Sequence, residues 1–163
     1  MSDFEQNISA EKLLEMYSDM IFKLAYSRTG NVHDAEDITQ EVFLKYIKSG
    51  KKFNDEEHRK AWLLKVAANT GKSLVTSAWA RHRADIDEAR DIGKCMEEKG
   101  EVFYAVAKLP EKYRTVVHLF YYEELSVEQI SEITKTKTST VKSQLHRARA
   151  MLKEMLKEEQ YEF

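Results

Sequence analysis

Helix-breaking residues are nearly missing from this sequence: Pro110 is the only proline, and there are five glycines in 163 residues. A chain so poor in breakers and rich in Ala, Leu, Glu and Lys forms helices throughout, so an all-α protein with almost no sheet is expected. Cysteine is equally scarce. Cys95 stands alone, which excludes an intramolecular disulfide and leaves no zinc framework or paired redox motif, so it reads as a surface or linker thiol. Long hydrophobic runs are also lacking, and no stretch approaches the roughly 18 apolar residues needed to cross a membrane. The start, Met1-Ser2-Asp3-Phe4-Glu5-Gln6, is acidic and lacks the basic flank and apolar run of a signal peptide. A cytoplasmic protein without direct membrane insertion is expected. Catalytic signatures are lacking: there is no HExxH, phosphate loop or GxSxG, and the five histidines are scattered. No catalytic residue, metal site or cofactor is assigned, and enzymatic activity is not expected.

What the sequence does have is charge in blocks. The formal net charge is only -2, which argues against a protein that simply coats nucleic acid. Its distribution is uneven. From His58 to Ala84 there are six bases, Arg59, Lys60, Lys65, Lys72, Arg81 and Arg83, and no acid, whereas residues 1–57 carry seven Lys or Arg against twelve Asp or Glu. Residues 85–101 are again acidic, with three bases against seven acids. A second acid-free stretch, Thr136 to Lys153, holds Lys137, Lys142, Arg147, Arg149 and Lys153. Two basic faces separated by an acidic connector result.

Hydrophobic periodicity divides the chain in the same way. Leu13, Leu14, Tyr17, Ile21, Leu24 and Ala25 recur at helical spacing, as do Ala35, Ile38, Val42, Phe43 and Ile47 after a break at Thr29-Gly30-Asn31. Gly50 closes the second helix, Lys51 to Glu57 is polar loop, and a third helix from His58 carries Trp62, Leu63, Val66, Ala67, Leu74, Val75 and Trp79. This gives a helical bundle over residues 1–84. Asp85 to Gly100 is acidic, weakly apolar and ends in glycine, and reads as a linker. Residues 101–163 form a second helical domain. It opens with Val102, Phe103, Val106 and Leu109, and Pro110 suits the first position of a helix bearing Tyr113, Val116, Val117 and Phe120. Ser126 and Gln129 have the form of a capping box for a short helix that buries Val127, Ile130 and Ile133. After a turn at Thr134-Lys135-Thr136-Lys137, Val141, Leu145, Ala148 and Leu152 make one apolar stripe. Two short helices around a tight turn are a helix-turn-helix.

Three polar faces carry functional readings, each beside a plainer one. On the last helix Thr138, Lys142, His146 and Arg149 lie about a quarter turn from the apolar stripe, at about 100° per residue. A recognition helix reads base edges with its first residues and grips phosphates with Lys and Arg, whereas the plainer reading is a solvated basic face. In the first domain the basic run is interleaved with Trp62, Trp79 and Asn69, a mixture suited to phosphate neutralisation and capture of unpaired bases. Trp62, in register with Val66, reads as core. Asp37, Gln40, Glu41 and Leu44 form a stripe on the second helix that either binds a partner or faces water.

These residues resemble the extracytoplasmic-function sigma factors of the sigma-70 family over nearly the whole chain. The run Asp34-Ala35-Glu36-Asp37-Ile38-Thr39-Gln40-Glu41-Val42-Phe43-Leu44 is similar to region 2.2. The resemblance implies that Asp37, Gln40, Glu41 and Leu44 dock on the clamp helices of the beta-prime subunit of core RNA polymerase. Lys60 to Asn69 resembles the part that opens the promoter and holds unpaired bases of the minus-ten element, giving Arg59, Lys65, Asn69, Lys72 and Arg81 as candidates. Leu109 to Arg114, Leu125 to Ile130 and Thr140 to Arg149 resemble region 4, which binds the minus-thirty-five element. Lys137, Thr138, Ser139, Lys142, Ser143, His146, Arg147 and Arg149 are its candidates. The implied partners are core RNA polymerase, through the beta-prime clamp helices and beta flap, promoter DNA and an anti-sigma factor. Two departures from the family pattern stand out. Lys135, Thr136 and Lys137 replace a glycine, an apolar residue and a capping serine, leaving Thr136 or Thr138 to supply the cap. Thr76 and Ser77 lie where many members are arginine-rich. An autonomous helix-turn-helix regulator and a helical nucleic-acid-modifying protein using the histidines are the competing readings.

Overall fold

The computed structural model describes residues 8–71 and 100–157, and every regular element among them is helical. The expectations for Lys72, Leu74, Val75, Trp79, Arg81, Cys95 and the acidic linker fall outside the described residues. Three helices make the first segment: α1 (Ala10–Thr29), α2 (Val32–Ser49) and α3 (Glu56–Asn69). Each begins at a side-chain cap. Ser9 accepts from the Lys12 amide, Asn31 from the Asp34 amide and Asp55 from the His58 amide, so each cap satisfies an amide that the first turn leaves unpaired. The Asp55 cap starts α3 two residues before the position expected from the apolar pattern. Gly30, at φ 67°, ends α1 in the left-handed conformation, where its amide bonds the Tyr26 carbonyl. α3 ends at Asn69, with Thr70 extended and Gly71 at φ 69°.

The second segment comprises α4 (Gly100–Ala107), α5 (Glu111–Val117), a π-helical turn (His118–Tyr122), α6 (Val127–Thr134) and α7 (Thr138–Lys157). Pro110 caps α5 from outside it, its carbonyl accepting from the Tyr113 and Arg114 amides. The capping box read from Ser126 and Gln129 is present in both directions, at 3.1 and 2.9 Å. α6 ends on Lys135 in the left-handed conformation, φ 59°. The turn into α7 is then tied by Ser131 Oγ donating to the Thr136 carbonyl at 2.5 Å. Thr136 turns its hydroxyl back onto that of Thr134, 2.8 Å away, instead of forward as a cap.

The larger of two apolar clusters spans both segments. It takes Leu13, Ile21, Leu24, Ile38, Val42, Leu63 and Ala67 from α1 to α3, and Val116, Leu119, Ile130, Ile133, Val141 and Leu145 from the second segment. A smaller cluster of Val106, Leu109, Tyr113, Val117, Ala148, Leu152 and Leu156 joins α4 and α5 to the far half of α7. The helices α5 and α6 thereby pack on α1 and α3. Burying one such aliphatic side chain contributes about 1.5–3 kcal/mol, so the shared cluster is a large part of what holds the molecule together.

Polar side chains fasten the same junction. Arg28, fully buried, donates from Nη1 to the carbonyls of Ala67 at 2.5 Å and Thr70 at 2.8 Å, and its Nε lies 3.4 Å from Glu111. Arg114, also buried, donates from Nη2 to the Arg28 carbonyl at 2.8 Å. Burial lowers the pKa of both guanidinium groups, that of Arg114 to about 10, against the opposing pull of Glu111. Arg28 thus joins α1, the end of α3 and the start of α5. Removing one member of a buried, hydrogen-bonded charge group costs about 3–5 kcal/mol. Arg28→Ala should therefore lower unfolding free energy by about that amount in urea denaturation, and a loss below about 1 kcal/mol would show that the junction does not depend on it. Lys135→Gly should instead raise stability, by about 0.5–1 kcal/mol, since a lysine held at positive φ carries a steric cost that glycine lacks. An unchanged denaturation midpoint would remove strain at this turn as an argument.

Candidate functional site

On α2 the residues Asp37, Gln40, Glu41 and Leu44 are all exposed, at spacings of three, one and three that align them on one face. The face continues into apolar surface. Leu44 is 53% exposed and Ile47 59%, and across a shallow groove α1 presents Leu14, 45% exposed, with Ser18 and Phe22. Exposed aliphatic side chains beside carboxylates make a surface fitted to a partner that is both basic and apolar. Lys45, on the flank, reaches Thr70 Oγ1 at 3.1 Å and Glu41 at 3.8 Å.

The basic run of α3 divides into buried and exposed members. Arg59 differs from its expected place. It is fully buried, paired with Glu56 and set over the Phe53 ring at 5.7 Å, so it braces α3 and has no surface to offer DNA. Lys65 is exposed. Lys60 is half-buried and 3.6 Å from Glu123 of the second segment. Trp62 is partly buried against the core, edge-on to Tyr46 and Phe53 at 5.9 and 5.8 Å, in keeping with its reading as core. Asn69 is engaged. Its Nδ2 donates to Lys65 O at 2.7 Å and, across the junction, to Ile133 O at 2.8 Å.

On α7, Val141, Leu145, Ala148, Leu152 and Leu156 are buried, while Lys137, Thr138, Ser139, Lys142, His146, Arg147 and Arg149 are exposed and Ser143 is half-buried. From Thr138 to Lys153, α7 thus presents an acid-free outer face, whereas α6 exposes Glu128 and Glu132. At about 100° per residue, Arg147 lies about 140° around α7 from Lys142, away from the line of Thr138, Lys142, His146 and Arg149. Arg149 is set over the rings of Phe120 and Tyr121 and donates from Nε to the Tyr121 hydroxyl at 2.6 Å.

Sequence reasoning missed Arg28, Arg114 and Tyr121. A signal existed for two of them: Ile21, Leu24 and Arg28 fall at spacings of three and four, and Arg114 stands three residues before Val117, so both lie on apolar stripes. A second concavity, of about 400 Å³, lies at the junction and is lined by Met16, Met20, Tyr26, Lys60, Val106 and His118 among others. Among the described residues there is no cluster of His, Cys, Asp or Glu suited to a metal ion, and no helix long and apolar enough to cross a membrane.

A helical bundle followed by a helix-turn-helix with an acid-free recognition face defines a two-part DNA-binding protein, and comparison with known proteins specifies the family. The profile described as Sigma-70 region 2 matches residues 13–81, and that described as Sigma-70, region 4 matches residues 100–152. The ECF RNA polymerase sigma factor SigW of Bacillus subtilis is 30% identical, covering 90% of this chain and 88% of its own length. The RNA polymerase sigma factor SigV of the same organism is 30% identical over 85% of each chain. Among solved structures, the sigma factor RpoE in complex with the anti-sigma factor NepR from Bartonella quintana aligns with a TM-score of 0.63, at 20% identity, over 90% of this chain and 96% of that one. CnrH in complex with the cytosolic domain of CnrY aligns at 0.65, with 21% identity, over 91% and 87%. The chain belongs to the extracytoplasmic-function sigma factors of the sigma-70 family. It is a transcription initiation factor, not an enzyme.

The placement of Arg59 has a direct consequence. Arg59→Ala should cost about 1–3 kcal/mol in stability by removing a buried guanidinium that pairs with Glu56 and packs on Phe53, yet leave the folded chain's affinity for single-stranded DNA unchanged in fluorescence anisotropy. A fall in affinity at unchanged stability would return Arg59 to the interface.

Proposed function

We propose that this chain docks on core RNA polymerase through α2 and grips promoter DNA through two basic faces, one for the melted minus-ten element and one for the minus-thirty-five element. The observation that carries the reading is the pairing, in one chain, of an exposed acidic-apolar face on α2 with a recognition helix free of acids from Thr138 to Lys153. On α2, Asp37, Gln40, Glu41 and Leu44, with Ile47 and Leu14 beside them, would meet the beta-prime clamp helices. Lys65 and Asn69 would hold the melted strand, together with Lys72 and Arg81, which lie outside the described residues. Thr138, Ser139 and Lys142 at the start of α7 would face base edges, with Lys137, Ser143, His146 and Arg149 toward the backbone, while Arg147, about 140° around the helix from Lys142, would stand off this face. The second segment would also meet the beta flap.

The arrangement of the two segments bears on how this works. Asn69 donates to Ile133 O, so it becomes available to an unpaired base only when α6 leaves α3. Docking on polymerase would favour that separation by holding the segments apart, and once one is bound the other acts at high effective concentration. An anti-sigma partner belongs to the same reading. The solved structures similar in fold are complexes of that kind, and the concavity between α1, α4 and α5 offers such a partner an apolar seat at the junction.

Run-off transcription by purified core polymerase, with and without this chain, tests the reading. Initiation should depend on the wild-type chain, fall about tenfold or more with Asp37→Arg/Glu41→Arg, and fall similarly with Lys142→Glu, each removing at least 1.4 kcal/mol of interaction. Binding of DNA without any binding of core would leave an autonomous helix-turn-helix protein in its place.

A further inference from the structure

Arg149 is not held as a surface arginine ordinarily is. Its Nε donates to the Tyr121 hydroxyl at 2.6 Å, and its guanidinium carbon stands 5.4 Å from the Phe120 ring centroid and 5.7 Å from that of Tyr121. The two rings meet edge to face, 4.9 Å apart at 76°. Tyr121 is 49% exposed, so the pair stands on the surface and is not part of the core. The backbone is shaped for this contact. Tyr121 lies in the π-helical turn His118–Tyr122, which closes with the Glu123 amide on the His118 carbonyl at 3.2 Å and is followed by Glu124 at φ 54°. Such a turn inserts one residue into the helical register and so re-aims the side chains it contains.

We propose that Tyr121, with Phe120 beneath it, is a positioning residue that pre-orders Arg149 for a phosphate of duplex DNA. The inference rests on the reading of α7 as the duplex-binding helix. A free arginine side chain loses about 2 kcal/mol of rotamer entropy when fixed by a ligand. Tyr121 has already fixed this one. The chemistry of the restraint matters as much as its existence: a carboxylate would neutralise the guanidinium, whereas a phenol hydroxyl and two ring faces leave its full positive charge in place. No carboxylate among the described residues lies within ion-pair distance of Arg149. With Nε occupied, both Nη groups remain to form the two parallel hydrogen bonds that a phosphate accepts. The neighbours on the same line of α7, Lys142 and His146, have no such restraint among the described residues, which singles Arg149 out.

Phosphate contacts do not depend on base sequence, so the test needs no knowledge of the promoter. Binding of the full chain to a fluorescein-labelled duplex of arbitrary sequence is measured by anisotropy over a series of salt concentrations, starting low, for wild type, Lys142→Glu, Tyr121→Phe, Tyr121→Ala, Arg149→Ala and Tyr121→Ala/Arg149→Ala. Tyr121→Ala should weaken binding about threefold to tenfold, the range expected from losing the pre-ordering of one long side chain, and Tyr121→Phe should fall between it and wild type. Arg149→Ala should weaken binding and reduce the slope of log affinity against log salt by about 0.9, the signature of one lost phosphate contact. Adding Tyr121→Ala to Arg149→Ala should then change nothing more. A purely structural tyrosine would weaken binding equally in both backgrounds, and that additivity overturns the proposal. So does wild-type or tighter binding by Tyr121→Ala, which would mean that the ring pair holds Arg149 away from DNA. If Arg149→Ala binds as wild type while Lys142→Glu does not, the inference fails but α7 keeps its role. If the wild-type chain does not bind duplex at low salt, both fall together.

Discussion

A single arginine determines how the two segments of this chain meet. Arg28 comes from the last turn of α1, where exposure would be the default, yet it is fully buried because three polar groups converge on it: two carbonyls at the end of α3 and the carboxylate of Glu111 at the start of α5. A buried guanidinium without such partners would be untenable, so the positions of α3 and α5 are constrained together. Arg114 repeats the logic in reverse, donating from the second segment to the backbone of Arg28 itself. The hydrophobic cluster supplies most of the free energy of the junction. It is indifferent to small slips between the segments, and the arginines are not.

Local structure was largely legible in the sequence because its determinants are local. Gly30, Gly50, Ser126 and Gln129 act through their own backbone and that of residues three or four away, and each sits where the pattern placed it. The apolar stripe of α7 is buried as its spacing implies. The association of the segments was not legible, since nothing in periodicity tells which apolar face meets which. The expectation of two helical units gave no hint that Leu24 and Ile130 would share one cluster, and the linker expected between them lies outside the described residues.

The candidate surfaces show the same division. Exposure of Asp37, Gln40, Glu41 and Leu44 followed from their spacing against the buried face of α2. Arg59 did not follow, because a basic residue inside a basic run looks like its neighbours until Glu56 and Phe53 are seen to enclose it. The turn after α6 places Lys135 in the left-handed conformation. Its outcome turned on a bond the sequence does not advertise, the Ser131 hydroxyl holding the Thr136 carbonyl, which lets the turn close with no glycine at the left-handed position.

A core that draws on both ends of a chain also sets an order of events in time. As the polypeptide leaves the ribosome, α1, α2 and α3 are complete well before Val116, Ile130 or Leu145 has been synthesised. Until then the face of the first bundle that those residues cover is bare, and Arg28 waits without Glu111. The nascent bundle therefore passes through a stage in which its uncovered apolar face is open to chaperones, to neighbouring nascent chains or to an early-binding partner. Only when the second segment emerges and folds onto it does that window close.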